Sequence, residues 1–132
     1  MTDEIKPYSH NGEKGLFELC REVWEETGWD SDDLLHFLGG EIHYKKLFES
    51  DMHHLNTTKD TYAPAYTSDY LLERLPAFVL NEWNDTYNLN LTKFDDGWSA
   101  CYRQYDLYQH GVTGSTPLTA LLRLVLELKK EG

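Results

Sequence analysis

The sequence of 132 residues predicts an α+β fold, with helices packed on a small antiparallel sheet of two or three strands. Apolar residues recur at helical spacing near both ends of the chain, in residues 16–27 and 118–128. Between them, the acidic turn Asp95–Gly97 is flanked by alternating apolar and polar positions, which is typical of a β-hairpin. We expect a single domain over residues 1–132, because compact domains commonly contain about 100–150 residues.

The N-terminal part of the chain predicts an arm followed by a pair of helices. Residues 1–14 are polar and are expected to form a flexible arm. One face of the first helix is apolar and is formed by Leu16, Leu19, Cys20 and Val23. Gly28 is placed to end this helix as its C-cap. A short second helix is expected next, because Ser31 is suited to cap it and the helix dipole favours Asp32 and Asp33 in its first turn.

The middle of the chain is less regular. Residues 41–62 show no clear period and are expected to form a loop-rich insert. A helix is predicted from Asp69 to Leu75, because Thr67 or Ser68 can cap its start. Pro76 closes this helix, since proline cannot continue the hydrogen-bond ladder.

The C-terminal half predicts the sheet and the longest helix. Residues 89–92 and 98–102 alternate between apolar and polar side chains on either side of the acidic turn. A third strand is expected over residues 105–108, followed by a turn over residues 111–115. A final amphipathic helix is predicted to begin at Pro117, since proline is favoured at the first helical position.

Charge is the strongest indication of function in this sequence. The chain has 23 carboxylates and 12 Lys and Arg residues, a formal net charge of -11. Residues 1–33 hold ten of the carboxylates and three of the basic residues, hence seven of the net negative charges. A field of this sign repels nucleic acid and anionic membranes. No basic cluster opens the final helix, so we expect neither direct nucleic-acid binding nor membrane binding.

The acidic N-terminal face is predicted to contact a partner, namely a protein with a basic surface, in the way that nucleic-acid mimics do. The predicted contact residues are Glu18, Glu22, Glu25, Glu26, Asp32 and Asp33. The alternative is that these carboxylates form an ordinary solvated helix face that keeps the protein in solution.

Catalysis is not indicated by any motif, so we expect a protein that is not an enzyme and uses no cofactor or metal. The alternative is a small metal-binding or ligand-binding protein, or an enzyme, that uses a histidine-rich set. Its members would be His36, His43, Asp51, His53 and His54. Cys20 and Cys101 are expected to be reduced and to serve as small apolar residues. Because the chain shows no signal peptide or apolar span, we expect a cytoplasmic protein.

Several segments are similar to one family. These segments are residues 66–76, residues 98–102, residues 116–132 and the helical segment 16–29. In them the chain resembles short uncharacterised proteins encoded by phages and prophages of Gram-positive bacteria. The chain departs from that pattern in its long insert between Gly40 and Tyr62. The resemblance implies a phage accessory protein that acts in the host cytoplasm by binding and inhibiting a host protein. A nucleic-acid-handling or defence enzyme, such as a CRISPR effector, would be such a target. A structural or self-associating phage component, including a homodimer, is the alternative.

Overall fold

The computed structural model describes residues 15–38, 41–44 and 62–131, and within these residues the chain forms three helices and seven strands. In chain order the elements are α1 (Leu16–Thr27), β1 (Leu35–Leu38), β2 (Glu41–Tyr44), β3 (Ala63–Ala65), α2 (Ser68–Arg74), β4 (Phe78–Leu80), β5 (Thr86–Phe94), β6 (Gly97–Gln104), β7 (Leu107–Gly114) and α3 (Pro117–Glu131). The predicted α+β class is confirmed. The arm predicted for residues 1–14 lies outside the described residues.

The strands form two antiparallel sheets, whereas the sequence predicted one sheet of two or three strands. The described residues contain a three-stranded sheet in the order β2-β1-β3 and a four-stranded sheet in the order β4-β5-β6-β7. The third predicted strand was placed too early. Tyr105 and Asp106 form the turn, and β7 continues through the predicted 111–115 turn as far as Gly114. β7 pairs with β6 across a register shift between Ala100 and Tyr102, and such a bulge allows a strand to continue past an irregular residue.

The predicted helical pair is wrong, because the segment after α1 is a turn and a strand. Ser31 does make a cap-like hydrogen bond, in which its Oγ accepts from the Asp33 backbone N–H at 3.1 Å. The bond closes a local turn, and β1 then pairs with β2 on one side and β3 on the other. A central strand gains hydrogen bonds along both edges, and its Phe37 is buried. The pairing with β2 is local and the pairing with β3 is long-range, and together they override the local helix signal.

The loop-rich insert predicted for residues 41–62 is only partly within the described residues. Residues 41–44 form β2, which contradicts the loop prediction at the start of the insert. Tyr62, at its other end, is buried and leads into β3. Residues 45–61, including Asp51, His53 and His54, lie outside the described residues.

Helix α3 is the centre of the core, as its apolar stripe predicts. Leu121, Leu122 and Leu124 are fully buried, and α3 packs against α1 and against β6 and β7. Its first turn is capped by Thr116, whose Oγ1 accepts from the Thr119 backbone N–H at 3.0 Å. The predicted helix before Pro76 is also confirmed, as α2, and Thr67 is its cap.

Gly97 and Gly114 fit the sheet for different reasons. The predicted hairpin turn at Asp95–Gly97 joins β5 and β6. Only Gly97 has positive φ, at 156°, and Asp96 is not among the non-glycine residues with positive φ. At Gly114 the packing is close, since an added Cβ would lie 2.6 Å from the Ala120 backbone nitrogen. The absence of a side chain there lets α3 approach the end of β7.

None of the helices in the part of the chain that the structure describes is both long and apolar enough to cross a membrane.

Candidate functional site

Helix α1 carries four of the six predicted contact carboxylates. Its buried face consists of Leu19, Cys20 and Val23, and the opposite face is acidic. Gly28 ends the helix with φ of 73°, a conformation that favours glycine, so the predicted C-cap is confirmed.

Glu18 and Glu25 also make contacts within α1. Glu18 bends back to the start of α1, where its Oε1 accepts from the Gly15 backbone N–H at 3.0 Å. Glu25 pairs with Arg21 one turn earlier, with 3.3 Å between Oε2 and Nε. The Glu25 side chain is still 56% exposed, so it also faces solvent. Exposed pairs of this kind contribute little to stability, which leaves Glu25 able to exchange its partner.

A shallow groove between α1 and α3 brings three of the predicted residues together. Glu22, Glu25 and Glu26 line it from α1, and Leu126 and Lys130 line it from α3. We call these five residues the acidic groove, and its volume is about 200 Å³. The sequence did not predict the contribution of α3, because which helix packs beside α1 is a property of the tertiary fold.

The remaining predicted residues, Asp32 and Asp33, lie in the turn that follows Ser31. Both side chains are exposed. They do not occupy the first turn of a helix, as predicted, and they do not line the acidic groove. They extend the acidic surface beyond the C-terminal end of α1.

A second polar cluster, centred on Asp30, was not anticipated. The His36 Nε2 lies 2.6 Å from Asp30 Oδ1, and the Tyr62 hydroxyl donates to Asp30 Oδ2 at 2.8 Å. An ionised carboxylate can only accept hydrogen bonds, so the imidazole Nε2 donates. The His36 ring also stacks on the Tyr62 ring, with 5.5 Å between centroids. We call Asp30, His36 and Tyr62 the Asp30 cluster.

The electrostatics of this cluster favour an ionised Asp30. Burial alone would raise the pKa of Asp30, but the hydrogen bonds from His36, Tyr62 and the Ser31 backbone N–H outweigh burial and lower it below 3.8. Because His36 is 0% exposed, a substrate in solution cannot contact its ring in this conformation. The cluster ties the turn after α1 to β1 and to the entry of β3. No local sequence signal could have found it, since Asp30 and Tyr62 are 32 positions apart.

Nucleophilic chemistry is not supported at the two cysteines. Both are buried and neither forms a disulfide. Burial raises the pKa of the Cys20 thiol to about 11 and also raises the pKa of Cys101. A thiol with a raised pKa carries little thiolate near neutral pH, so it is a poor nucleophile.

The alternative metal set is not assembled in the described part of the chain. That part holds no group of three or more His, Cys, Asp or Glu residues able to bind a metal ion. His36 belongs instead to the Asp30 cluster. His43 lies on β2, and the other predicted members fall outside the described residues.

Comparison with protein-family models finds no match, and comparisons with curated proteins and with solved structures find none either.

Proposed function

We propose that this protein acts by binding another protein, through insertion of a basic side chain of that partner into the acidic groove. The observation that carries the proposal is the convergence of three carboxylates from α1 on one depression. Among the described residues that line it, the one cation is Lys130, which lies 3.7 Å from the Glu127 carboxylate and so already has an acidic neighbour. The groove therefore carries net negative charge.

The shape of the groove favours a long basic side chain. Leu126 supplies an apolar contact beside the carboxylates of Glu22, Glu25 and Glu26. Arginine and lysine bury their methylene stems on apolar surface and keep the charged head near polar groups. Arginine fits such a site best, since its planar guanidinium can donate to two carboxylates at once.

The partner that we propose is a host protein with a basic surface, such as a nucleic-acid-handling or defence enzyme. A phage-encoded accessory protein would inhibit this enzyme by occupying the surface that the nucleic acid uses. The net charge of -11 supports this proposal, because attraction between opposite charges accelerates docking on a basic surface.

The test reverses charge where no structural contact is lost. Glu26 and Asp33 are exposed, and neither side chain makes a hydrogen bond or ion pair within the described parts of the chain. The variant Glu26→Lys/Asp33→Lys is compared with Glu73→Lys/Glu82→Lys, which changes the net charge equally on α2 and the β4–β5 loop. The partner is first captured from host lysate and then purified, and binding is measured by calorimetry at several salt concentrations.

We expect the first variant to bind the partner at least about tenfold more weakly, which is equivalent to roughly 1.4 kcal/mol of binding free energy. The second variant should bind nearly as the unchanged protein does. Binding by the unchanged protein should weaken as salt rises. Equal loss in both variants would mean that only total charge matters. Unchanged binding in the first variant, insensitive to salt, would return the carboxylates to a role in solubility.

A further inference from the structure

A larger depression lies on the other side of α3, where α2 ends. It is lined by Trp29, Arg74, Leu75, Pro76, Val125, Leu128 and Lys129, and its volume is about 480 Å³. We call it the cationic groove. Its size falls within the roughly 300–1,000 Å³ that small-molecule sites commonly have.

The walls of the cationic groove are anchored from several directions. Leu75 ends α2, and its backbone N–H donates to the Leu71 carbonyl at 2.8 Å. The next residue, Pro76, accepts through its carbonyl from the hydroxyl of the buried Tyr102 at 2.8 Å. Val125 belongs to the buried core of α3. The apolar surface of the groove is therefore held in place by the fold before any ligand arrives.

The charge of this groove is opposite to that of the whole molecule. Arg74 and Lys129 are exposed, and both line the groove. Each occupies the last turn of its helix, where a cation is favoured by the helix dipole. The Arg74 guanidinium lies 3.6 Å from the centre of the Tyr70 ring, a stacking contact that orients its planar group.

The ion pairs of the described residues do not include either of these two cations. Within the described ranges 15–38, 41–44 and 62–131, Arg74 and Lys129 form no ion pair, whereas Arg21 and Lys130 each lie beside a glutamate. The chain has almost twice as many acidic as basic residues, so most cations would be expected to have an acidic neighbour. Two cations that form no ion pair within the described residues, beside apolar side chains, are complementary to a ligand with an anionic head and an apolar body.

We propose that the cationic groove binds a small amphipathic carboxylate. The carboxylate head accepts from Arg74 and Lys129, and the aliphatic or aromatic body contacts Leu75, Val125 and Leu128. A carboxylate suits the two cations because its two oxygens can accept from both of them. Trp29 lies in the wall, so ligand binding changes the environment of an intrinsic fluorophore.

The test uses three probes with the same eight-carbon body, namely octanoate, 1-octanol and octylammonium, each kept below its micelle concentration. Amide chemical shifts in NMR titrations report both the affinity and the location of binding. Octanoate should shift the amides of Arg74, Leu75 and residues 125–129 in a saturable manner. Octanol should bind about tenfold more weakly, because it lacks the charge-assisted contacts, and octylammonium should bind more weakly still.

Matched variants test the two cations separately. Arg74→Gln and Lys129→Gln should each weaken octanoate binding several-fold, with the larger loss at Arg74, since Gln cannot replace its forked geometry. Lys130→Gln is the control, because Lys130 is adjacent in sequence but lines the acidic groove instead. It should bind octanoate as the unchanged protein does. Circular dichroism verifies that all three variants remain folded.

The remaining outcomes count against the proposal. Equal binding of octanol and octanoate would show an apolar depression with no anion preference. Tighter binding of octylammonium would show that the charge assignment is wrong. Shifts outside the groove, no saturable shift with octanoate, or equal loss in Lys130→Gln and Arg74→Gln would each overturn a carboxylate site at this place.

Discussion

The three-stranded sheet and the four-stranded sheet differ in how far apart along the chain their contacting residues lie. In the four-stranded sheet each strand pairs with the next one in sequence, through short turns. In the three-stranded sheet β1 pairs with β3, which begins at Ala63, and the Asp30 cluster joins residues 32 positions apart. The four-stranded sheet is therefore a set of local hairpins, and the three-stranded sheet depends on a long-range pairing.

This difference has a physical consequence for stability. Local pairings cost little loop-closure entropy, so the four-stranded sheet can form before the rest of the fold. The α1 region and the three-stranded sheet must instead recover a larger entropy cost from fewer contacts. The Asp30 carboxylate, which accepts from the buried side chains of His36 and Tyr62, supplies part of that stabilisation. Apolar packing on α3 supplies much of the rest. We expect the two regions to respond differently to mutation.

The largest effect is expected at the helix that contacts both regions. Leu121 is fully buried in α3, so Leu121→Ala should lower the free energy of unfolding by about 2–5 kcal/mol through lost burial and a residual cavity. Chemical denaturation measures this change, with the exposed Lys129→Ala as the matched control. If both variants unfold at the same denaturant concentration, α3 is not the shared core of the two regions.

The Asp30 cluster should stabilise the α1 region selectively. Asp30→Asn leaves one amide nitrogen that cannot accept from His36 or Tyr62, and it should cost about 1–3 kcal/mol. Hydrogen exchange should quicken in α1 and β1 more than in β5 and β6. Uniform loss of protection across both sheets would mean that the two regions unfold as one unit.

The same substitution should change how stability depends on pH. The folded pKa of Asp30 lies below its ordinary value of 3.8, so ionisation stabilises the fold. This contribution is fully present above 3.8 and is lost as pH falls through the lower, folded pKa. The difference in unfolding free energy between the unchanged protein and Asp30→Asn should therefore be constant near neutral pH and shrink in acid. A difference that persists at pH values below the folded pKa would contradict an ionic origin.

Close packing at the end of β7 should be sensitive to one methyl group. Gly114→Ala places a Cβ 2.6 Å from the Ala120 backbone nitrogen, so α3 must shift, at a cost of about 1–3 kcal/mol. Gly111→Ala is the matched control on the same strand, since its nearest contact would be 3.9 Å. Thermal unfolding compares the two. Equal melting temperatures would show that α3 can move away from β7 by enough to accommodate a methyl group without a loss of stability.

The smallest effect should be a gain. Tyr105 occupies the β6–β7 turn with φ of 54° and is 88% exposed, so it holds a disfavoured backbone conformation with little packing in return. Tyr105→Gly should stabilise the four-stranded sheet by about 1 kcal/mol, because glycine adopts this conformation freely. Tyr108→Gly, at an exposed position without positive φ, is the control and should not stabilise the protein.

Structure that depends on local contacts was predicted from the sequence, and structure that depends on long-range contacts was not. The stripe of α3, its start at Pro117 and the hairpin at Asp95 are local patterns, and each appears in the structure. The strand β1 was predicted as a helix, because Ser31 and the acidic residues after it satisfy a local capping pattern. Only pairing with β2 and β3 decides its conformation, and β3 is a three-residue strand that contains Pro64 and has no readable period.

The candidate site was predictable in its residues but not in its geometry. The acidic face of α1 follows from helical periodicity, and the structure places Glu22, Glu25 and Glu26 on one groove. That Leu126 and Lys130 complete the groove depends on how α3 packs against α1, which no local pattern specifies. Glu18 was assigned to the partner surface, and its hydrogen bond to Gly15 shows that it also caps the helix.

The burial of the two cysteines makes the molecule its own reporter of opening. Cys20 lies in α1 and Cys101 in β6, so one thiol belongs to each region. A maleimide or iodoacetamide reagent can modify each thiol only when its surroundings open. The rate at which each site is alkylated, resolved by mass spectrometry of peptides, then gives the opening equilibrium of each region in the unmodified sequence. Local opening of each region can therefore be followed without any amino-acid substitution.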